Sequence, residues 1–189
     1  MNERYEFSAA EIVALLARLD ERLRARGVSG SVFVVGGAAV AVTSGRDLRR
    51  TEDVDAITSD SVVVTEAREL ARAEGLPENW LNTRAGMWMP PLPAEASTPA
   101  PGPGLHVTYA SDGFLLATKL IAQRRKDAAD IRELADRTGL AEATADQLEA
   151  LIYQYYTDPG ILEFIVDGND VAGEVRLLAE RAARMLARR

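Results

Sequence analysis

Apolar and polar positions recur along this chain with two different periods, and the changes of period mark out its elements. Ser8-Ala-Ala-Glu11 forms a capping box, and Ile12, Leu15, Leu16, Leu19 and Leu23 follow at helical spacing until Gly27, which predicts a helix over about 8–26. Val32 to Val35 is a β-branched apolar run too short for a helix. It stops at Gly36-Gly37, as a buried strand does when it turns sharply, and Ala38 to Thr43 reads as a small-residue helix start packed on it. Residues 49 to 57 alternate with a period of two, so a strand ending near Ile57 would project Arg49, Thr51, Asp53 and Asp55 from one face. Asp60 or Ser61 caps a helix reaching Ala73, closed by Gly75 and Pro77. Met87 to Met89 reads as a short strand, and Leu105 to Tyr109 as another with His106 and Thr108 on one face. Between them, 90–104 carries six prolines and reads as a mobile loop, because proline removes donors that sheet and helix need.

Beyond this point the pattern is helical. Ser111 or Asp112 caps a segment from Phe114 to Arg124, Asp127 to Thr138 continues to Gly139, and Thr144-Ala-Asp-Gln147 is a second capping box opening a stripe of Leu148, Leu151, Ile152 and Tyr155. Asp158-Pro-Gly160 reads as a turn, and a last helix runs from about Asp170 to Leu186. The fold class that follows is α/β: a small mixed sheet from the Val32, Val54, Met87 and Val107 regions flanked by helices, then a C-terminal helical bundle. The expected division is 1–110 and 111–189.

Composition narrows the chemistry. The 189 residues include no cysteine and one histidine, which removes disulfides, thiol catalysis, zinc–thiolate sites and histidine-based metal clusters. No run of about 18 apolar residues is present, and the N-terminus lacks the order of a signal peptide, so a cytoplasmic protein with no membrane partner is expected. The net charge of -7 weighs against a general nucleic-acid-binding surface but leaves room for a local basic patch.

The candidate chemistry centres on Asp53 and Asp55. Two charges about 4 Å apart repel by about 4 kcal/mol at an effective dielectric of about 20, so such a pair wants a cation. Hard oxygen ligands suit the magnesium ions that bridge nucleotide phosphates, and Gly36 and Gly37 allow the backbone to approach a ligand closely. Lys119 falls on an inward helix face and needs an anionic partner or a phosphate. Asp127 and Asp130 share a face at i, i+3, which also describes an ordinary charged helical junction. Arg18, Arg22 and Arg26 read as a solvated helix face, His106 as a structural residue, and Trp80 as a surface anchor or a substrate wall.

Gly36-Gly37-Ala38-Ala39, Arg49-x-Thr51-x-Asp53-x-Asp55, Lys119-Leu-Ile-Ala122 and Lys126-Asp127-x-x-Asp130, in that order, resemble the motifs of minimal nucleotidyltransferases of the DNA polymerase β superfamily, in particular the AbiEii-like toxins of type IV toxin–antitoxin systems. The resemblance implies a polymerase β-like sheet and transfer of an NMP from an NTP to an acceptor hydroxyl, with the tRNA 3′ end as acceptor and an antitoxin protein as possible partner. It also implies that Gly36 and Gly37 cradle the triphosphate with Arg49 and Thr51 nearby, that Asp53 and Asp55 hold Mg2+, that Lys119 contacts phosphate, and that Asp127 is a later catalytic carboxylate. The family often carries serine after the paired glycines, where this chain has Ala38, leaving phosphate contact to backbone donors. Lys119, Arg124, Arg125 and Lys126, with Arg49 and Arg50, would form a basic rim, and Trp80 or Trp88 a stacking surface for an RNA end. Transfer to a small molecule such as an antibiotic, transfer to a protein side chain, and a catalytically silent interaction module are the alternatives.

Overall fold

The computed structural model describes residues 5–44, 50–98, 100–166 and 168–188. The chain divides into two compact units, Met1–Met87 with Leu92–Ala110, and Trp88–Pro91 with Ser111–Arg189.

The first unit begins with α1 (Ala9–Ala25), whose Ser8 and Glu11 make the reciprocal capping bonds expected of them. Its five buried apolar residues, Ile12, Leu15, Leu16, Leu19 and Leu23, each contribute about 1.5–3 kcal/mol relative to exposure. The following elements are β1 (Ser29–Val34), α2 (Gly36–Thr43), β2 (Val54–Ile57), α3 (Ser61–Glu74), β3 (Leu81–Asn82) and β4 (Gly104–Tyr109). They build a four-stranded mixed sheet in the order β3-β2-β1-β4, with helices packed against it. β1 is antiparallel to β2 and parallel to β4, and β2 is parallel to β3. Val32, Phe33, Val34 and Val35 are buried, as a central strand covered on both faces requires.

The strand expected at Met87 to Met89 is instead a 3-10 turn at Arg84–Trp88, and the fourth strand lies earlier, at Leu81–Asn82. Trp80 explains the shift. Its indole is fully buried and donates to the Ala67 carbonyl at 2.9 Å, while its own carbonyl accepts from the Val54 N–H at 2.7 Å, so the next two residues are drawn against β2. Trp80 is thus a core residue and neither a surface anchor nor a substrate wall.

The carboxylate strand is also shorter than the alternation suggested. Only Val54–Ile57 is strand; Asp53 precedes it, and Thr51 forms an isolated antiparallel bridge with Phe7. Nor is the arginine face of α1 merely solvated. Arg22 and Arg26 both engage Glu66 of α3, which is 3 % exposed, and Arg18 pairs with Glu74. Two guanidiniums make a buried carboxylate tolerable, and they fasten α1 to α3.

The second unit holds α4 (Asp112–Ala122), α5 (Ala128–Arg137), α6 (Ala145–Tyr155), α7 (Pro159–Ile165) and α8 (Val171–Leu186). α4 packs on α5, α6 and α8, and α6 on α8, around Leu115, Leu116, Leu120, Ile131, Leu134, Leu148, Ile152 and Val175. The stretch expected to turn at 158–160 starts α7. Asp158 caps it by accepting from the Gly160 N–H at 2.9 Å, and Pro159 occupies the first helical position, where its missing N–H costs nothing. No helix among the described residues is long and apolar enough to cross a membrane.

Candidate active site

The end of β1 carries the first half of the site. The Val35 N–H donates to the Asp55 carbonyl at 2.9 Å, which brings the last residue before the glycine pair beside β2. Gly36 then takes φ 64°, a left-handed conformation that glycine adopts without penalty, and turns the chain into α2. A Cβ on Gly36 would stand 2.6 Å from Asp55 Oδ2. Gly37 lies in the first turn of α2, where backbone N–H groups have no intrahelical acceptor. Both glycines are partly exposed.

β2 and β3 supply the second half. Asp55 and Asn82 are register partners across the parallel pair. The Asn82 Nδ2 donates to Asp55 Oδ1 at 3.1 Å and to Asp53 Oδ2 at 3.0 Å, while its Oδ1 accepts from the Arg84 N–H at 3.1 Å. One amide therefore holds both carboxylates, and its orientation is forced, because only the nitrogen can face two anions. The Thr51 hydroxyl donates to the Asp53 carbonyl at 3.1 Å and so braces the segment leading to the pair. Arg49 lies outside the described residues.

Among the described residues no group of three His, Asp or Glu side chains is gathered tightly enough to hold a metal ion. The two aspartates nonetheless suit magnesium, which takes one or two protein carboxylates and fills its remaining positions with water and phosphate oxygens. The missing Cβ of Gly36 leaves the Asp55 carboxylate lying directly against the glycine turn, where a side chain would otherwise stand 2.6 Å from Oδ2.

Lys119, Asp127 and Asp130 belong to the helical unit. The Lys119 Nζ donates to Asp127 Oδ1 at 2.7 Å and pairs with Asp130 Oδ2 at 2.8 Å, and Lys119 is 3 % exposed. Arg124 donates to Asp127 Oδ2 from its backbone N–H at 3.1 Å and from Nε at 2.8 Å. Burial pushes the Asp127 carboxyl up, but the hydrogen bonds and charges of Arg124 and Lys119 outweigh it and hold the group below the ordinary carboxylate range. The anionic partners an inward lysine needs are thus two aspartates.

Three of the expected residues, Gly36, Asp53 and Asp55, meet in the sheet unit, and two, Lys119 and Asp127, meet in the helical unit. Arg125 and Lys126 are exposed beside the latter. Trp80 has no face for a base to stack on, since it is 0 % exposed. Asn82 escaped the sequence reading. Its one signal was an amide directly after the apolar Trp80-Leu81 step, too short a run to show a period. Comparison with protein-family models, with curated proteins and with solved structures finds no match for this chain.

Proposed function

We propose that this protein is a magnesium-dependent nucleotidyltransferase that moves an NMP from an NTP to an acceptor hydroxyl, with the 3′ end of tRNA as the acceptor. The observation that supports this reading is the Gly36–Asp55 approach: a glycine turn at a helix start and a carboxylate pair, nineteen residues apart in sequence, share one small volume, with Asn82 aligning both carboxylates. Such a volume serves phosphoryl chemistry, in which positioning and charge neutralisation supply most of the rate.

In this reading Asp53 and Asp55 would hold Mg2+, which would supply charge neutralisation for the triphosphate. The Gly36-Gly37 turn admits the phosphates to the backbone N–H groups of α2, with no hydroxyl from Ala38. The acceptor oxygen bonds to the α-phosphorus, the α–β phosphoanhydride bond breaks, pyrophosphate leaves, and the hydroxyl proton passes to solvent. Lys119 and Asp127 act as a charged brace between α4 and the start of α5. Capping tRNA ends in this way would stop translation, which is the action of a toxin, and a cognate antitoxin would be its natural partner.

The test is incubation with each labelled NTP, Mg2+ and total cellular RNA. Label in the tRNA size range that is lost without Mg2+ and in Asp53→Ala supports the reading. Label confined to small molecules or protein would move the acceptor, and wild-type turnover in Asp53→Ala would remove the metal assignment.

A further inference from the structure

Nucleotidyl transfer leaves one surface of the helical unit without a task. Trp88 is 50 % exposed and Phe164 60 %, yet their rings stack with centroids 5.4 Å apart and 19° between planes. The pair is anchored from below. Tyr156, itself 2 % exposed, donates its hydroxyl to the Trp88 carbonyl at 3.2 Å, and Leu162, two residues before Phe164, is buried in the core. Two large rings fixed in this way and left open to water form a platform of the kind that binding surfaces use.

Charge decides what such a platform accepts. Between Arg137 and Arg176 the chain has eight Asp and Glu residues and no Lys or Arg, which leaves 22 basic and 21 acidic residues for the rest. The stretch that carries Phe164 thus has a charge of -8 and the rest of the chain +1, and Arg176 pairs with two of its carboxylates, Asp146 and Glu149. Glu163 adjoins Phe164, and Asp158 and Asp170 lie just outside the start and end of the same helix-and-loop; all three are exposed. In α6, the Tyr153 hydroxyl is pushed up by burial and by the charges of Glu149 and Asp170. A nucleic-acid strand could stack a base on Trp88 for about 1–3 kcal/mol but would bring phosphates into that field. An anionic lipid surface meets the same repulsion. A guanidinium satisfies both features, since it lies flat on an aromatic face and pairs with carboxylates through its edge.

We propose that the Trp88–Phe164 platform is a docking site for an arginine-bearing segment of a partner protein. The arginine lies against the rings, apolar neighbours in the segment cover the rest of them, and Glu163 with the surrounding carboxylates selects the charge. This surface is independent of the catalytic proposal.

The probe is a short synthetic peptide alternating arginine and leucine, with lysine and glutamate counterparts, titrated against the full chain. Of the two tryptophans Trp80 is buried, so the emission change reports Trp88. Saturable binding of the arginine peptide is expected, weaker for lysine, absent for glutamate, and falling steeply with salt. Phe164→Ser should weaken it by about tenfold and Glu163→Lys by several-fold. Both positions are exposed, and matching thermal melts confirm that each variant is folded. Binding that is unchanged in Phe164→Ser overturns the proposal. So does Phe164-dependent quenching of Trp88 by single-stranded RNA, which would make the platform a base-stacking surface. Self-association in sedimentation that disappears in Phe164→Ser would make a second copy of this chain the occupant and overturn it equally.

Discussion

The α-carbon of Gly36 lies against the Asp55 carboxylate so closely that a methyl group there would meet Oδ2 at 2.6 Å. Gly36→Ala therefore carries two penalties, a left-handed backbone that costs an L-residue about 1–2 kcal/mol and an overlap that costs about 1–3 kcal/mol more. The expected result is a chain whose melting temperature falls by several degrees and whose nucleotide affinity is lost. An unchanged melt would show that the turn can relax away from Asp55.

Asn82→Ala removes the donor shared by Asp53 and Asp55. Hydrogen bonds to charged groups contribute about 1.5–3 kcal/mol when buried, and less at this partly exposed site. Thermal melts should show a loss in sodium that millimolar Mg2+ largely restores, with a smaller Mg2+ effect on wild type, because the ion takes over the amide's place between the carboxylates. Equal Mg2+ effects on both proteins would argue against a metal at this pair.

Asp53→Asn and Asp55→Asn preserve shape while removing charge. Transfer should fall at least about a hundredfold for each, since charge stabilisation of phosphoryl transfer depends on the ion these carboxylates hold. Circular dichroism melts should stay within a few degrees of wild type. A large fall in stability together with activity would reassign the pair to the fold.

Lys119→Met leaves Asp127 and Asp130 buried without their shared cation, and breaking a buried pair from one side costs about 3–5 kcal/mol. Adding Asp130→Asn should recover part of that loss. Urea denaturation of the single and double variants measures the coupling; a single variant as stable as wild type would free Lys119 for phosphate.

Asp127 also sets an acid limb. Its folded carboxyl is held below the unfolded value of about 3.9, so its contribution is fully present above that value and is lost as pH falls through the lower folded one. Stability measured from neutral pH into this range should drop below about pH 4, and the drop should shrink in Asp127→Asn.

Local signals were legible in the sequence and long-range ones were not. The capping boxes at Ser8/Glu11 and Thr144/Gln147 form as written, and Gly75 and Gly139 end helices at φ 67° and 73°. Each depends on residues within one turn. Glu66 meeting Arg22 and Arg26, Trp80 anchoring β3, and Asn82 bridging two aspartates join segments 13 to 44 residues apart, and no period in the chain encodes such a partner. Pro159-Gly160 misled for a different reason: the residues that break a helix interior also begin one, and the side chain of Asp158 decides which.

The parallel pairing of β1 with β4 joins Ser29 to Gly104 and Val34 to Tyr109. During synthesis, β1 is therefore an open edge from its emergence at the ribosome until Tyr109 follows, with only β2 to cover one side. The apolar run Val32 to Val35 is the segment most exposed to wrong partners in that interval, and closing so long a loop makes its rescue slow. A nascent chain halted before Gly104 should bind chaperones and aggregate, whereas one released a few residues after Tyr109 has everything its sheet requires.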